Sequence, residues 1–210
     1  MTAARRTRVK FCGMTSAADV SLAVDAGADA VGVIVAESAR RVALPDLPAI
    51  AAAIPPYVSR IGVLADQGRA EAEALRALGF TLQFSGDESP ETCEALAGGS
   101  SYVKVFHLDP STLTLEPERY AAFRGALWMF DTNAPGKRGG SGRAFDWTAV
   151  TNLARDRRVV VSGGLTPENV ADCIRAVKPY AVDVRSGIET DGQKDPAKMR
   201  AFIEAVTNAG

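Results

Sequence analysis

Residues 158–177 read RVVVSGGLTPENVADCIRAV, and this stretch contains the local pattern that decides the fold. Its three successive valines favour a buried β-strand over Arg158 to Ser162. The glycine pair Gly163-Gly164 marks a turn, and Thr166 is a candidate N-cap for a helix over Pro167 to Val177. The stretch therefore predicts one strand–turn–helix unit.

The same unit recurs eight times along the 210 residues. The predicted strands are Arg8 to Met14, Asp29 to Ala36, Arg60 to Ala65, Thr81 to Phe84, Tyr102 to His107, Ala126 to Thr132, Arg158 to Ser162 and Ala181 to Val184. The predicted helices run from the cap Ser16 to Gly27, Asp46 to Ile54, Arg69 to Leu78, Pro90 to Ala97, Pro117 to Phe123, Trp147 to Ala154, Pro167 to Val177 and Pro196 to Thr207. Eight such units favour a closed barrel over an open sheet. We therefore predict an α/β fold, a (βα)8 TIM barrel of eight parallel strands forming one domain over residues 1–210, with residues 1–7 as a flexible leader.

Composition excludes several function classes. Lys and Arg number 24 against 25 Asp and Glu, so no broad basic field is present for nucleic acid. No apolar stretch is long enough to span a bilayer, and the N-terminus lacks a secretion signal. The three cysteines include no CxxC pair. We expect a cytoplasmic protein without nucleic-acid or membrane partners.

His107 is the only histidine, so a metal site or a Ser-His-Asp triad is disfavoured. We interpret His107 as a structural or pocket-wall residue and expect acid–base groups among Cys, Asp, Glu and Lys. Cys12 follows the first strand, where the loops of a barrel form the active site. Cys93 and Cys173 fall in predicted helices and are expected in the core.

Glycine-rich turns follow the last three strands. They contain Gly139 to Gly142, Gly163-Gly164 and Ser186-Gly187. Backbone N–H groups in such turns bind phosphate in many barrels. The glycine spacing fits neither a Walker A loop nor a dinucleotide fingerprint. A phosphate site is therefore predicted at this side of the barrel.

These residues resemble those of a known family. The ordered motifs are Lys10-Phe11-Cys12-Gly13-Met14-Thr15, Ser38-Ala39-Arg40, Phe130-Asp131-Thr132, Gly139-Gly140-Ser141-Gly142, Phe145-Asp146-Trp147, Ser162-Gly163-Gly164-Leu165 and Asp183-Val184-Arg185-Ser186-Gly187-Ile188-Glu189. Together they resemble the phosphoribosylanthranilate isomerases, over nearly the whole chain. The resemblance implies an Amadori rearrangement of N-(5-phosphoribosyl)anthranilate to 1-(2-carboxyphenylamino)-1-deoxyribulose 5-phosphate, in tryptophan biosynthesis and without a cofactor or metal.

The resemblance also implies a role for each matching residue. Cys12 resembles the general base, Asp131 the general acid, and Arg40 the arginine that holds the anthranilate carboxylate. The phosphate-binding residues would be Gly140, Ser141, Gly142, Gly163, Gly164, Ser186 and Gly187. Arg41 competes with Arg40 for the carboxylate, and the spacing from Ser38 favours Arg40.

The sequence departs from the family at three places. Phe84-Ser85 stands where the family has Leu-His, so that histidine is absent. The loop before Arg41 looks one residue short, with Ala39 in place of a proline. Arg185 replaces a small residue, and strand alternation puts it on the same side as Asp183. Both are candidate substrate contacts, and Arg185 could pair with Asp183, bind phosphate or change substrate selection.

Two other functions stay open from the sequence. One is an isomerase or epimerase acting on a different sugar phosphate, which the changes at Arg185 and the fourth strand would permit. The other is a catalytically silent phosphate-binding barrel. The presence of both Cys12 and Asp131 disfavours the second, because phosphate binding requires neither.

Overall fold

The computed structural model describes residues 6–109, 111–112, 115–134, 137–138 and 146–209. Its eight barrel strands are β1 Arg8–Cys12, β2 Ala30–Ile34, β3 Ser59–Leu64, β4 Thr81–Phe84, β5 Tyr102–Leu108, β6 Ala126–Ala134, β7 Val159–Val161 and β8 Ala181–Val184. Their hydrogen-bonded order is β5, β4, β3, β2, β1, β8, β7, β6, and β5 also pairs with β6. The fold is thus the predicted parallel (βα)8 barrel.

Helices separate the strands. They are α1 Ala17–Ala26, α2 Leu47–Ala53, α3 Arg69–Ala77, α4 Pro90–Ala97, α5 Thr151–Asp156, α6 Val170–Val177 and α7 Pro196–Ala209. Four short 3-10 helices accompany them at Leu44–Asp46, Pro117–Tyr120, Trp147–Val150 and Ser186–Ile188. Between β5 and β6, the described residues contain only the 3-10 turn Pro117–Tyr120, which is shorter than the helix predicted to reach Phe123. Tyr120 is buried there against Trp128, with ring centroids 5.6 Å apart.

The helix caps confirm one sequence prediction and correct another. Ser16 caps α1, since its hydroxyl accepts the N–H of Asp19 at 3.1 Å. The prediction that Thr166 caps a helix beginning at Pro167 was wrong, because α6 begins at Val170. The Thr166 carbonyl instead accepts the N–H groups of Asn169 and Val170 and so closes a separate turn.

The carboxamide of Asn169 ties that turn to the glycine pair. Its oxygen accepts the N–H of Thr166 at 2.8 Å, and its nitrogen donates to the carbonyl of Gly164 at 2.9 Å. The residues after β7 are therefore fixed by hydrogen bonds before the helix starts.

The chain divides into two compact units, which we call unit A (segments 1–10, 106–117 and 129–210) and unit B (segments 11–105 and 118–128). Within unit A, β7 and β8 pair in parallel register, with Val160 opposite Ala181. A short ribbon follows, in which Glu189–Thr190 pairs with Gln193–Lys194. The expectation of a single domain stays a prediction.

Unit B contains the parallel pairs β2–β3 and β3–β4, with Val33 opposite Gly62 and Val63 opposite Gln83. Cys93 on α4 is fully buried there, as Cys173 on α6 is in unit A, which confirms both as core residues. Burial raises the pKa of each of these thiols to about 12, so neither is suited to proton transfer. Among the described helices, none has the length and apolar character needed to cross a bilayer.

Candidate active site

Asp131 lies near the carboxyl end of β6, in unit A, and is half-buried. Its Oδ1 accepts the N–H of Thr132 at 2.7 Å. Burial raises the pKa of Asp131 from 3.8 to about 6. His107 and Arg185 act against this rise, whereas the negative charge of Asp183 adds to it. A carboxyl group with this pKa keeps a protonated fraction near neutral pH, as a general acid requires.

Gly163 provides the space that the Asp131 carboxyl group occupies. A Cβ on Gly163 would lie 2.5 Å from Asp131 Oδ1 and 2.5 Å from the Thr132 nitrogen, far closer than real Cβ contacts. The residue also has a φ of +85°, which favours glycine. Gly163, expected from the sequence to bind phosphate, thus also borders the proposed acid.

Asp183 forms a buried polar network with a residue of β1 and with the residue that follows β7. Lys10 on β1 donates to Asp183 Oδ1 at 2.7 Å, and Ser162 donates through its hydroxyl to Oδ2 at 3.1 Å. All three side chains are buried. The Ser162 N–H donates to the carbonyl of Phe130 at 2.8 Å, directly before Asp131. The network therefore reaches the strand that carries Asp131.

Sequence reasoning did not single out Lys10 or Ser162. The available signal was a lysine between Val9 and Phe11, inside an apolar strand, because a buried ammonium group requires an anionic partner. The identity of that partner depends on pairing between β1 and β8, which the local pattern does not specify.

The turns after β7 and β8 pack closely together. A Cβ on Gly187 would lie 2.0 Å from the Leu165 carbonyl oxygen, so only glycine fits. Ser186, which is exposed, begins the 3-10 helix that contains Gly187, and Gly164 is half-buried with a φ of +66°. Short turns of this kind present backbone N–H groups to an anion. The predicted phosphate residues Gly140, Ser141 and Gly142 lie outside the described residues.

Cys12 ends β1, in unit B, where it packs in a small apolar cluster. Its neighbours are Ile34, Ala36, Val63 and Ala65. The thiol-bearing residue is 5% exposed, whereas Cys93 and Cys173 are 0% exposed. Gly13 follows it with a φ of +76° and donates its N–H to Gly32 at 2.9 Å. The Cys12 thiol therefore lies among apolar side chains.

The two candidate arginines have different surroundings. Arg41 is exposed, and its guanidinium is bonded to Glu37 of the same loop at 3.1 Å. Arg40 is half-buried, and its backbone N–H donates to the hydroxyl of Ser38 at 3.2 Å. Which of the two arginines holds the carboxylate stays a prediction, for which the spacing from Ser38 favours Arg40.

Ser85 stands where the resemblance implies a histidine. Gln83, on β4, donates to the Ser85 hydroxyl at 3.2 Å. The Gln83 carboxamide oxygen is buried and has no hydrogen-bond partner among the described residues. The carboxamide and the hydroxyl thus provide polar groups at a position where the imidazole is missing.

Comparison with known proteins identifies the chain. The sequence model of one family, described as N-(5'phosphoribosyl)anthranilate (PRA) isomerase, matches residues 9–205. The chain belongs to this family. PRA isomerases are enzymes of tryptophan biosynthesis, and membership makes the chain an isomerase.

Curated PRA isomerases match over nearly their full length. The N-(5'-phosphoribosyl)anthranilate isomerase of Desulforudis audaxviator is 41% identical over 206 residues, which cover 97% of this chain and 99% of the relative. The one from Stenotrophomonas maltophilia is 43% identical over 215 residues, covering 97% and 94%.

Solved PRA isomerase structures have the same fold. The crystal structure from Thermotoga maritima superposes with a TM-score of 0.84 at 32% identity, covering 96% of this chain and 99% of that one. The Thermus thermophilus structure gives 0.84 at 34% identity, covering 97% and 100%. A PRA isomerase in complex with reduced 1-(o-carboxyphenylamino)-1-deoxyribulose 5-phosphate gives 0.81 at 31% identity, covering 96% and 99%.

Proposed function

We propose that this isomerase converts N-(5'-phosphoribosyl)anthranilate to 1-(2-carboxyphenylamino)-1-deoxyribulose 5-phosphate, with Asp131 as general acid and Cys12 as general base. The observation that carries the proposal is the Asp131 carboxyl group, whose pKa is raised to about 6 within a polar cluster at the end of β6. A carboxyl group with an ordinary pKa would hold almost no proton at neutral pH.

The reaction begins at the furanose ring oxygen. Asp131 transfers its proton to this oxygen as the C1–O bond breaks, and the nitrogen lone pair forms a protonated imine at C1. The Asp131 carboxylate that remains is stabilised by the nearby positive charge of Arg185. This step opens the ring without a cofactor.

The second step removes the proton from C2. The Cys12 thiolate takes it, the C1–C2 double bond forms and the imine nitrogen receives the electron pair, which gives an enolamine. Tautomerisation of the enolamine then yields the ketone. Among the cysteines only Cys12 lies at the carboxyl end of a barrel strand, where the loops form the active site.

Two sets of residues support the substrate assignment. The apolar cluster around Cys12 and the half-buried Arg40 suit an aromatic ring that carries a carboxylate. The turns at Gly163-Gly164 and Ser186-Gly187, with Gly140, Ser141 and Gly142 by resemblance, suit a phosphate. Asp183 is proposed as a contact to the sugar hydroxyls, and Arg185 as a contact to the sugar or the phosphate.

We also propose that the enzyme works in the cytoplasm and has no nucleic-acid partner. The near-neutral charge balance, with a net charge of −1, supports the second point. Action on a different sugar phosphate is the second candidate function, favoured by Arg185 and by Ser85 in place of the histidine.

The decisive experiment measures turnover of freshly prepared N-(5'-phosphoribosyl)anthranilate by the loss of anthranilate-type fluorescence. We expect turnover by the parent and a loss of at least about 100-fold in both Cys12→Ala and Asp131→Asn, since each variant lacks one proton-transfer group. Turnover that survives Cys12→Ala would reject the base. A parent that binds sugar phosphates but turns over none of this substrate would favour the second candidate.

A further inference from the structure

Asp131 and Asp183 of unit A are linked through Ser162, whose hydroxyl donates to Asp183 and whose N–H donates to the carbonyl of Phe130, directly before Asp131. The proposed chemistry requires the proton on one of these two carboxyl groups. Asp131 and Asp183 interact electrostatically, since the charge of Asp183 raises the pKa of Asp131. Two carboxylates in one site repel each other, so one carboxyl group of such a pair tends to keep a proton. A further feature of the structure must therefore decide that Asp131, and not Asp183, keeps the proton.

Lys10 is the feature that distinguishes the two carboxyl groups. Its Nζ lies 2.7 Å from Asp183 Oδ1, and the side chains of Lys10 and Asp183 are only 7% and 8% exposed. The second oxygen of Asp183 accepts the hydroxyl of Ser162. Both Asp183 oxygens thus receive donors that favour a carboxylate. By contrast, within the described part of the chain Asp131 Oδ1 accepts the backbone N–H of Thr132.

We propose that Lys10 is a positioning residue: by holding the negative charge on Asp183, it leaves Asp131 as the carboxyl group that keeps the proton. The proposal rests on the role of Asp131 as general acid and adds the reason why Asp183 does not take that role. Lys10 acts through Asp183 and need not touch the substrate.

The other charged groups around Asp131 come from different elements. His107 lies on β5, and Arg185 follows Asp183 at the end of β8. Both lower the pKa of Asp131, so neither favours its proton. A change at Lys10 leaves these two residues in place and alters only the charge balance at Asp183.

A second buried lysine pair provides a matched control. Lys104 on β5 lies 2.8 Å from Glu88 Oε2, with side chains 4% and 3% exposed. That carboxylate also accepts the backbone N–H groups of Asp66 and Gly86, so the pair ties two loops of unit B together. The geometry matches the Lys10 pair, but the partner carboxylate does not act on Asp131.

The test is a titration of Asp131 in the complete protein, labelled with carboxyl-13C aspartate and followed by NMR. The Asp131 signal is assigned by its loss in Asp131→Asn. We expect Lys10→Met to split the Asp131 transition into two steps about one pH unit or more apart, because Asp131 then shares one proton with the second carboxyl group. Lys10→Arg should keep the wild-type midpoint, and Lys104→Met should keep it too. A folded Lys10→Met protein with an unchanged Asp131 transition would overturn the proposal.

A second comparison applies if Lys10→Met does not fold. Asp183→Asn removes the carboxylate through which Lys10 acts, so Asp183→Asn and Lys10→Met/Asp183→Asn should have the same Asp131 midpoint. Midpoints that differ by about half a unit or more would show that Lys10 acts on Asp131 directly and would reject the inference. The titration requires no turnover, so failure of the proposed function would appear in the fluorescence assay and failure of this inference in the midpoints.

Discussion

Asp131 binds its proton more tightly in the folded protein than in the unfolded chain, because burial raises its pKa from 3.8 to about 6. A carboxyl group with a raised pKa makes the folded state less stable as pH rises from about 4 to about 6, since the unfolded chain then loses its proton first. Above about pH 6 the folded state carries the full loss of stability that comes from ionising buried Asp131. The proposed acid is thus retained at the expense of stability.

Asp131→Asn should therefore stabilise the protein, although its turnover should fall at least about 100-fold. We expect its free energy of unfolding at pH 8 to exceed that of the wild type by on the order of 2 kcal/mol, because the amide carries no charge to desolvate. At pH 5 the gain should be clearly smaller. Urea unfolding at the two pH values measures both quantities, and an equal or negative gain at pH 8 would contradict the raised pKa.

The turns after β7 and β8 illustrate how much of the element scale can be predicted from sequence. Their glycines and the flanking strands were predictable because β-branched runs and glycine pairs are local signals. The start of α6 was not, since Asn169 closes a turn through contacts to Thr166 and Gly164 that require the folded loop. The Lys10–Asp183 pair was also unpredictable, because it joins residues 173 positions apart.

Gly187→Ala tests the close packing of these turns. The new Cβ would lie 2.0 Å from the Leu165 carbonyl oxygen, so the turn after β8 must move. Its backbone N–H groups would then no longer point at the phosphate. We expect the KM for the substrate to rise at least about 10-fold, since a phosphate contact is lost.

Gly99→Ala is the control for that change. Gly99 also sits in a turn, with a φ of +81°, and a Cβ there would meet nothing within 4 Å. This variant should carry backbone strain without altering KM. A similar KM for the Gly187→Ala protein and the wild type would show that the turn after β8 does not bind the phosphate.

At the scale of the whole molecule, the proposed roles divide between the two units. Unit B carries Arg40, which we assign to the anthranilate carboxylate, and Cys12, which we assign to the proton at C2. Unit A carries Asp131, Asp183 and the two described glycine turns, which we assign to the sugar and phosphate. Mutations in the two units should therefore affect recognition of the anthranilate carboxylate and recognition of the phosphate separately.

Arg40→Met should raise the KM for the substrate by about 10- to 100-fold, because the carboxylate loses a charged partner. It should leave the inhibition constant for inorganic phosphate unchanged. Gly187→Ala, by contrast, should raise both the KM for the substrate and the inhibition constant for phosphate. Steady-state kinetics with phosphate as competitor measures the two effects. The matched change is Arg41→Met, which removes an exposed guanidinium and should alter neither constant. If Arg41→Met instead has the larger effect on KM, the carboxylate assignment moves to Arg41.

The ion pair between Lys10 and Asp183 joins the first barrel strand to the last one. During synthesis on the ribosome, Lys10 therefore has no partner until Asp183, 173 positions later, has been made. The charge arrangement that we propose to keep the proton on Asp131 cannot exist in a nascent chain. Enzymatic competence should accordingly arise only after the last barrel strand has emerged, rather than grow with the length of the emerging polypeptide.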